Sequence, residues 1–254
     1  MIHTAVGLEL RKTRRLRLWA LCLVMVVAVV VLTTMNLGSE STRAGFTDPG
    51  AQPWEQLLLN QVLITAMTSP ILVAVLAGRQ VEIEHQGQGW ILARVSGFGP
   101  GLLCLAKAVV VGAALTVTVA AQCVLVVAAG AVAGIGSAPP LDLWARYGLC
   151  LVSVHLAVLC LHLWLAARVD NQLVGLGVGL LGAFYAVTSL LMPVQAAYFL
   201  PWGYYAAISP LAMEGNHLVA AAPAGWPFAL FLCASAALFW AACRRFDRGE
   251  GGPA

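Results

Sequence analysis

The sequence predicts an all-α membrane protein with six transmembrane helices, and three observations lead to this fold class. Of the 254 residues, 61% are hydrophobic and only 10% are charged, whereas a soluble domain carries roughly 25% charged residues. The apolar residues form six continuous stretches, each close to the roughly 20 residues that a helix needs to cross a bilayer. Most basic residues between these stretches fall on one side. The predicted spans cover residues 18–37, 57–78, 109–133, 143–167, 173–192 and 226–243.

The chain is expected to begin with an amphipathic helix over residues 1–17. Ile2, Val6 and Leu10 recur every four residues, and basic residues surround this stripe. A helix with one apolar stripe and a cationic remainder lies in the plane of the membrane interface. The alternative is that this segment only sets the topology. The predicted interfacial anchors are Arg11, Lys12, Arg14, Arg15 and Lys107.

Residues 18–250 are expected to form a single six-helix transmembrane domain. Its stretches are continuous, whereas the strands of a transmembrane barrel alternate apolar and polar residues. Of the 14 basic residues, only Arg43 and Arg146 fall outside the face shared by the N-terminal segment, the second and fourth connections and the C-terminal segment. The positive-inside rule then predicts that both termini are cytosolic. The net charge of +3 therefore reflects topology and gives no support to a nucleic-acid partner.

The connection over residues 79–101, between spans two and three, is the richest predicted cytosolic segment. The apolar run that follows it, residues 102–133, is too long for one straight crossing at about 1.5 Å per residue. The third span is therefore expected to begin as a helix below the membrane, with Lys107 reaching water at its surface.

Residues 193–225, after span five, stay apolar without forming a clean span. Pro193, Pro201 and Pro210 interrupt them, and each proline removes a backbone donor. The sequence predicts short re-entrant helices on the outer side, held by aromatic residues at the interface.

Two glycine patterns occur in the fifth span. Residues 177–182 match GxGxxG, but no strand precedes them and no βαβ unit surrounds them, so a dinucleotide site is not expected. Gly175 and Gly179 instead form a GxxxG pair, which predicts a close helix contact in the bilayer. Lys12 and Lys107 are the only lysines and neither follows a glycine, so the chain offers no phosphate-binding loop.

His155 and His162 lie seven residues apart on the fourth span and therefore share a helix face. Polar residues inside the membrane are candidates for function. The sequence leaves open a polar pathway, a hydrogen bond between helices, and a haem or other redox site. No Asp or Glu falls inside the predicted spans, which argues against an ion-coupled carrier.

The connection over residues 79–101 and the start of the third span carry a family resemblance. An acidic residue closes the second span, an aromatic residue follows on a short helix, and an "LL..AK" helix comes after a turn. The residues concerned are Glu84, Trp90, Leu102, Leu103, Ala106 and Lys107. Together with the basic N-terminus, they make the chain resemble the permeases of type-2 ABC exporters, in particular the lantibiotic-immunity and bacitracin-export branch.

The resemblance implies two permeases, identical or related, and two copies of an ABC ATPase in a bacterial cytoplasmic membrane. ATP and magnesium would bind the ATPase, and this chain would carry no cofactor and no catalytic residue. The resemblance places a coupling helix in the 79–101 connection, with Trp90 as the anchor in the ATPase and Glu82, Glu84 and Arg94 as charges around it. The expected ATPase-coupling residues are Glu82, Glu84, Gln86, Trp90 and Arg94.

The cargo implied by the resemblance is amphipathic, such as a peptide antibiotic, a drug or a lipid, and the biological role is antibiotic resistance or immunity. Two alternatives remain open from the sequence. One is an integral-membrane redox subunit or enzyme that uses His155 and His162, and the other is a membrane scaffold that transports nothing.

Overall fold

The computed structural model describes residues 2–215, 217–222 and 225–249. Six of its helices are long and apolar enough to cross a membrane, which confirms the predicted all-α, six-span fold class. In chain order the helices are α1 (Ile2–Leu16), α2 (Leu18–Thr34), α3 (Glu40–Ala44), α4 (Pro53–Gln86), α5 (Gly89–Val95), α6 (Pro100–Ala133), α7 (Leu141–Arg168), α8 (Gln172–Ser189), α9 (Val194–Ala197), α10 (Tyr204–Ala207) and α11 (Gly225–Asp247). The spanning helices are α2, α4, α6, α7, α8 and α11.

The helix α4 lies at the centre of the bundle and packs against α2, α7 and α8, while α6 packs against α1, α2, α7 and α11. Leucines from three helices, including Leu76, Leu115 and Leu151, are fully buried between them. Apolar side chains also cover the outside of the bundle, where Val132 is 90% exposed. Lipid tails are as apolar as leucine, so such a surface suits a bilayer.

Both α4 and α6 contain 34 residues, which corresponds to about 51 Å of helix and exceeds a hydrocarbon core of about 30 Å. Residues 79–86 of the predicted connection are therefore helical, because α4 continues as a helix to Gln86. The α6 helix begins at Pro100, a favourable residue for the first helical turn, and runs without a break through the third span. We call the end of the bundle that carries α1 and α5 the basic end.

The segment between α8 and α11 contains more than the predicted short helices. The helices α9 and α10 and a 3-10 turn at Pro201–Gly203 come first. Two antiparallel strands follow, β1 (Leu211–Glu214) and β2 (His217–Ala220), and the sequence analysis did not expect them. The Gln52 side chain fixes β2, since its amide donates to the Leu218 carbonyl at 2.7 Å and accepts from the Leu218 N–H at 2.8 Å. We call this opposite end of the bundle the hairpin end.

The two glycines that were predicted to form a helix contact have different surroundings. A Cβ on Gly179 would lie 2.6 Å from the Ala74 Cβ, so this glycine permits α8 to approach α4 closely. A Cβ on Gly175 would meet nothing within 4 Å. Gly182, one turn further along α8, has the second close contact, because a Cβ there would lie 2.4 Å from the Trp202 ring.

The helix α1 buries a different stripe from the one that the sequence analysis chose. Ala5, Glu9 and Thr13 face the bundle, whereas Ile2 and Leu10 are 39% and 50% exposed. The α1 helix packs mainly against α6. Its buried stripe contains Glu9, so a carboxylate lies inside the protein at the basic end.

Candidate functional site

A cluster of charged side chains lies inside the protein at the basic end. We call Glu9, Lys12, Gln80, Glu84 and Lys107 the buried charge cluster. The Lys107 ammonium lies 2.8 Å from one Glu9 carboxylate oxygen and 2.7 Å from Glu84. The Lys12 ammonium lies 2.7 Å from the other Glu9 oxygen and 2.5 Å from Glu84. Two carboxylates therefore face two ammonium groups, and the cluster is neutral as a whole.

Lys107 is fully buried and uses its entire donor capacity. Its ammonium donates to Glu9, to Glu84 and, at 2.9 Å, to the Gln80 carbonyl oxygen. An ammonium group has three N–H donors, so none is left unpaired. The expectation that Lys107 reaches water is wrong, because the carboxylates of α1 and α4 meet it inside the protein.

The spacing of the residues explains why the cluster forms. Gln80 and Glu84 are four residues apart on α4 and lie on one face of it. Lys107, in the second turn of α6, packs against this face. Glu9 is central in the buried stripe of α1 and accepts a hydrogen bond of 2.7 Å from the Gln80 amide. The cluster therefore ties three helices together. Glu84 is 3% exposed and lies inside this cluster, and its expected role as a coupling charge stays an untested prediction.

Lys12 forms the outer edge of the cluster and remains partly open to solvent. Burial alone would lower its pKa, but hydrogen bonds and charge attraction from Glu84 and Glu9 outweigh burial and raise the pKa above the usual value. Beside it the expected anchors Arg11, Arg14 and Arg15 are exposed on α1. Their position at the basic end is compatible with an interfacial role, which stays a prediction.

The short helix α5 directly follows the cluster in the chain and touches it. A Cβ on Gly89, the first residue of α5, would lie 1.9 Å from a Glu84 carboxylate oxygen. Only glycine allows so close an approach. A displacement of the start of α5 would therefore move the Glu84 side chain.

Trp90 fixes α5 to the rest of the chain. Its side chain is 2% exposed and packs edge-on against His85, with ring centroids 6.0 Å apart. The ring is thus covered by its own protein, and the expected role of Trp90 as an anchor in the ATPase stays an untested prediction. The apolar residues of α5 that remain exposed are Ile91, Leu92 and Val95, with exposed fractions of 55%, 67% and 82%.

The end of α4 also contacts α7 and α8. A ring nitrogen of His85 lies 3.0 Å from the Ala166 carbonyl oxygen of α7. Glu82 accepts hydrogen bonds from Gln86 at 2.7 Å and from Gln172 at the start of α8. Glu82 is thus held within the chain, and Gln86 is exposed.

Arg94 is also exposed. Of the five expected coupling residues, Gln86 and Arg94 are therefore the two on the surface. The structure does not test the coupling role itself.

The first turn of α6 receives the end of α11. The Gly101 N–H donates to the Asp247 carboxylate at 2.8 Å. A Cβ on Gly101 would lie 2.0 Å from the Cys243 carbonyl oxygen, and one on Gly99 would lie 2.1 Å from Asp247. Both glycines are therefore needed for α11 to close over α6.

His155 and His162 lie on one face of α7, as predicted, and both are buried against the segment that follows α8. His155 packs edge-on against Tyr205, with centroids 5.4 Å apart, and His162 against Trp202 at 6.0 Å. A His155 ring nitrogen bonds the Leu151 carbonyl oxygen of its own helix at 2.7 Å. The proposed polar pathway and redox role remain untested predictions.

No set of three or more His, Cys, Asp or Glu residues within the described ranges is placed to hold a metal ion. Glu9, Gln80 and Asp247 were not predicted as partners in the site. The signal for Glu9 was available, because an acidic residue at the centre of a helix face implies a cation opposite when that face is buried.

The chain matches a known protein family. A family model described as ABC-2 family transporter protein matches residues 5–189. The match runs from α1 to the last turn of α8 and includes the whole buried charge cluster and α5. No curated protein matches the chain.

Proposed function

The chain belongs to the ABC-2 family of transporter proteins, and on that premise we propose that it is the membrane-spanning permease of an ATP-driven exporter. Members of this family are the membrane components of transporters whose ATP is hydrolysed by an ABC ATPase. The partner ATPase, present in two copies, holds ATP and magnesium. This chain supplies the pathway and the surface on which the ATPase acts.

The observation that carries the proposal is the exposed apolar face of α5. Ile91, Leu92 and Val95 lie on a short helix that connects two spanning helices at the basic end. Apolar side chains on a lipid-facing helix need no partner, but three on a connecting helix favour a protein interface. We assign this face to the ATPase, with Arg94 and Gln86 as polar groups beside it.

The buried charge cluster rigidly connects α5, on which the ATPase acts, to the helices of the transmembrane bundle. Gly89 at the start of α5 contacts Glu84, and Glu84 is paired with Lys107 of α6 and Lys12 of α1. Packed helices and paired charges move as rigid bodies with discrete arrangements. A movement of α5 is therefore passed to α4, α6 and α1 together.

The proposed cargo is an amphipathic molecule, and the proposed assembly contains a second permease. The spanning helices present apolar side chains to their surroundings, among them Leu181 and Phe184 of α8, which are 70% and 65% exposed. Gly175 of α8 leaves room for another helix to approach, since a Cβ there would meet nothing within 4 Å. A peptide antibiotic, a drug or a lipid matches such apolar walls better than a charged solute does. The basic residues support an orientation with both termini in the cytosol of a bacterium.

Co-purification in mild detergent tests the ATPase surface. The full-length protein is isolated from its native membrane, and an ABC ATPase in the eluate is identified by mass spectrometry. Leu92→Asp combined with Val95→Asp should abolish its recovery at unchanged permease stability, because both side chains are exposed. Met213→Asp, at a residue that is 71% exposed at the hairpin end, is the matched control. Equal ATPase recovery from both variants would contradict the proposal.

Reconstituted complexes test the export step. We expect bacitracin, as a probe of amphipathic peptide cargo, to stimulate ATP hydrolysis in proteoliposomes and to accumulate on the side away from the ATPase. ATP hydrolysis that no amphipathic probe stimulates would favour the scaffold alternative.

A further inference from the structure

A groove of about 440 Å³ lies between α7 and α11 at the basic end, apart from α5 and the buried charge cluster. Its volume falls in the range of about 300–1,000 Å³ that ligand sites occupy. The walls are apolar along most of their length, and two cations line one part of it. The side chains that matter are Ala157, Trp164, Arg168, Pro201, Leu238 and Arg245.

The two arginines lie together at the basic end of the groove. Arg168 ends α7, and Arg245 is in the last turn of α11. The Arg168 guanidinium lies over two aromatic rings, 5.9 Å from the Trp164 centroid and 5.5 Å from that of Phe246. Such contacts fix the orientation of the cation without neutralising it.

Among the described residues, the carboxylates near this end of the groove do not pair with its arginines. Asp247 accepts from the Gly101 N–H, and Asp170 lies 3.6 Å from a ring nitrogen of His85. Within the described residues, neither Arg168 nor Arg245 lies within 4.0 Å of an acidic oxygen. The groove therefore carries two positive charges that call for an anion.

The length of the groove matches one leaflet of a bilayer. From Ala157 to Arg168 the wall of α7 rises by eleven residue steps, which is about 16 Å at 1.5 Å per residue. The hydrocarbon core is about 30 Å thick, so the groove spans about half of it. Pro201, on the 3-10 turn that packs back against α8, lines the groove as well.

We propose that this groove binds one anionic phospholipid, with its phosphate between Arg168 and Arg245 and one acyl chain along Trp164 and Leu238. The charge pattern excludes a purely apolar ligand, and the apolar length excludes a free phosphate as the natural occupant. Basic pockets between spanning helices are a common form of anionic headgroup site. The lipid fills the space between α7 and α11 and stabilises the position of α11, whose end also closes over α6.

Native mass spectrometry of the delipidated protein tests the proposal. Dioleoylphosphatidylglycerol and dioleoylphosphatidylcholine are titrated separately into the full chain in detergent. We expect Arg168→Gln with Arg245→Gln to weaken the tightest phosphatidylglycerol binding about tenfold or more, since each basic residue contributes about 1 kcal/mol. The matched control, Arg43→Gln with Arg146→Gln, removes the same charge at other positions and should leave that binding unchanged.

A second variant tests the acyl-chain part of the site without changing any charge. Ala242→Leu places a larger side chain in the groove and should weaken phosphatidylglycerol binding as well. An excess of inorganic phosphate should not displace the lipid. Gel filtration and thermal unfolding verify that each variant is folded, and Arg168→Lys with Arg245→Lys, which keeps both charges, should retain most of the binding.

Three results would overturn the proposal. The first is that Arg168→Gln with Arg245→Gln binds phosphatidylglycerol as tightly as the wild type does. The second is that the wild type binds phosphatidylcholine as tightly as phosphatidylglycerol. The third is that inorganic phosphate displaces the lipid. None of them depends on an ATPase partner, so this test and that of the proposed function fail separately.

Discussion

The Lys107 ammonium lies 2.7 Å from the Glu84 carboxylate, and both groups are buried between α4 and α6. Removing two charges from water is costly, so such a pair persists only when its remaining hydrogen-bonding groups are also satisfied. Here Glu9 and Lys12 complete the set. The pair is therefore part of a unit that responds as a whole when one member is changed.

The first prediction concerns the cation of the cluster. Lys107→Met should destabilise the protein by about 3–5 kcal/mol, because Glu9 and Glu84 would be left buried with too little positive charge. Thermal unfolding in detergent measures the loss. Adding Glu84→Gln should restore part of the stability, since it removes one of the uncompensated charges. An unchanged unfolding midpoint in Lys107→Met would show that the cluster does not hold the three helices together.

The second prediction separates the two sides of α5. Trp90→Ala should destabilise the chain by about 3–5 kcal/mol, the usual cost of deleting a buried aromatic side chain. Leu92→Ala should leave the unfolding midpoint within experimental error, because Leu92 is mostly exposed. Finding the larger stability loss in Leu92→Ala would contradict the orientation of α5.

The third prediction uses a matched pair of glycines on α8. Gly179→Ala should cost about 1–3 kcal/mol, since its Cβ would overlap Ala74 and overpacking of this kind strains a core. Gly175→Ala should be neutral or slightly stabilising, because nothing lies within 4 Å and alanine favours the helix. The two unfolding midpoints are compared directly, and equal values would count against the α4–α8 contact.

The fourth prediction concerns orientation. A cysteine at position 92 in a cysteine-free background should react with a membrane-impermeant maleimide only after the cells are opened. A cysteine at position 213 should react in intact cells. The opposite pattern would reverse the proposed topology, and with it the location of the ATPase surface.

The fifth prediction addresses His162. One ring nitrogen of this residue is buried and has no hydrogen-bond partner among the described residues, so His162→Phe should leave the unfolding midpoint nearly unchanged. The purified wild-type protein should show no Soret band in its absorption spectrum. A Soret band that disappears in His162→Phe would support the redox alternative.

The six spans were predictable because apolar length alone identifies them, and the basic end follows from the distribution of charge. The buried charge cluster was not predictable in the same way. Lys107 lies near the start of an apolar run, and hydropathy gives the same signal for a lysine that reaches water and for one that pairs inside. The choice depends on Glu9 and Glu84, which are distant in sequence and come together only through tertiary packing.

Two further differences have local causes. The side of α5 that Trp90 occupies could not be deduced, because a seven-residue helix gives too little periodicity to assign its buried face. The strands β1 and β2 were not predicted, because prolines and aromatic residues surround them in the sequence. The Gly215–Asn216 dipeptide between two short apolar runs is a hairpin signal that could have identified them.

The contact between Asp247 and Gly101 has a practical consequence for work with the purified protein. It places the end of α11 at the start of α6, close in the chain to the exposed face of α5. A fluorescent protein or affinity tag fused directly after Asp247 would therefore crowd the surface assigned to the ATPase. Fusions for imaging or capture of the intact transporter need a long linker at that terminus.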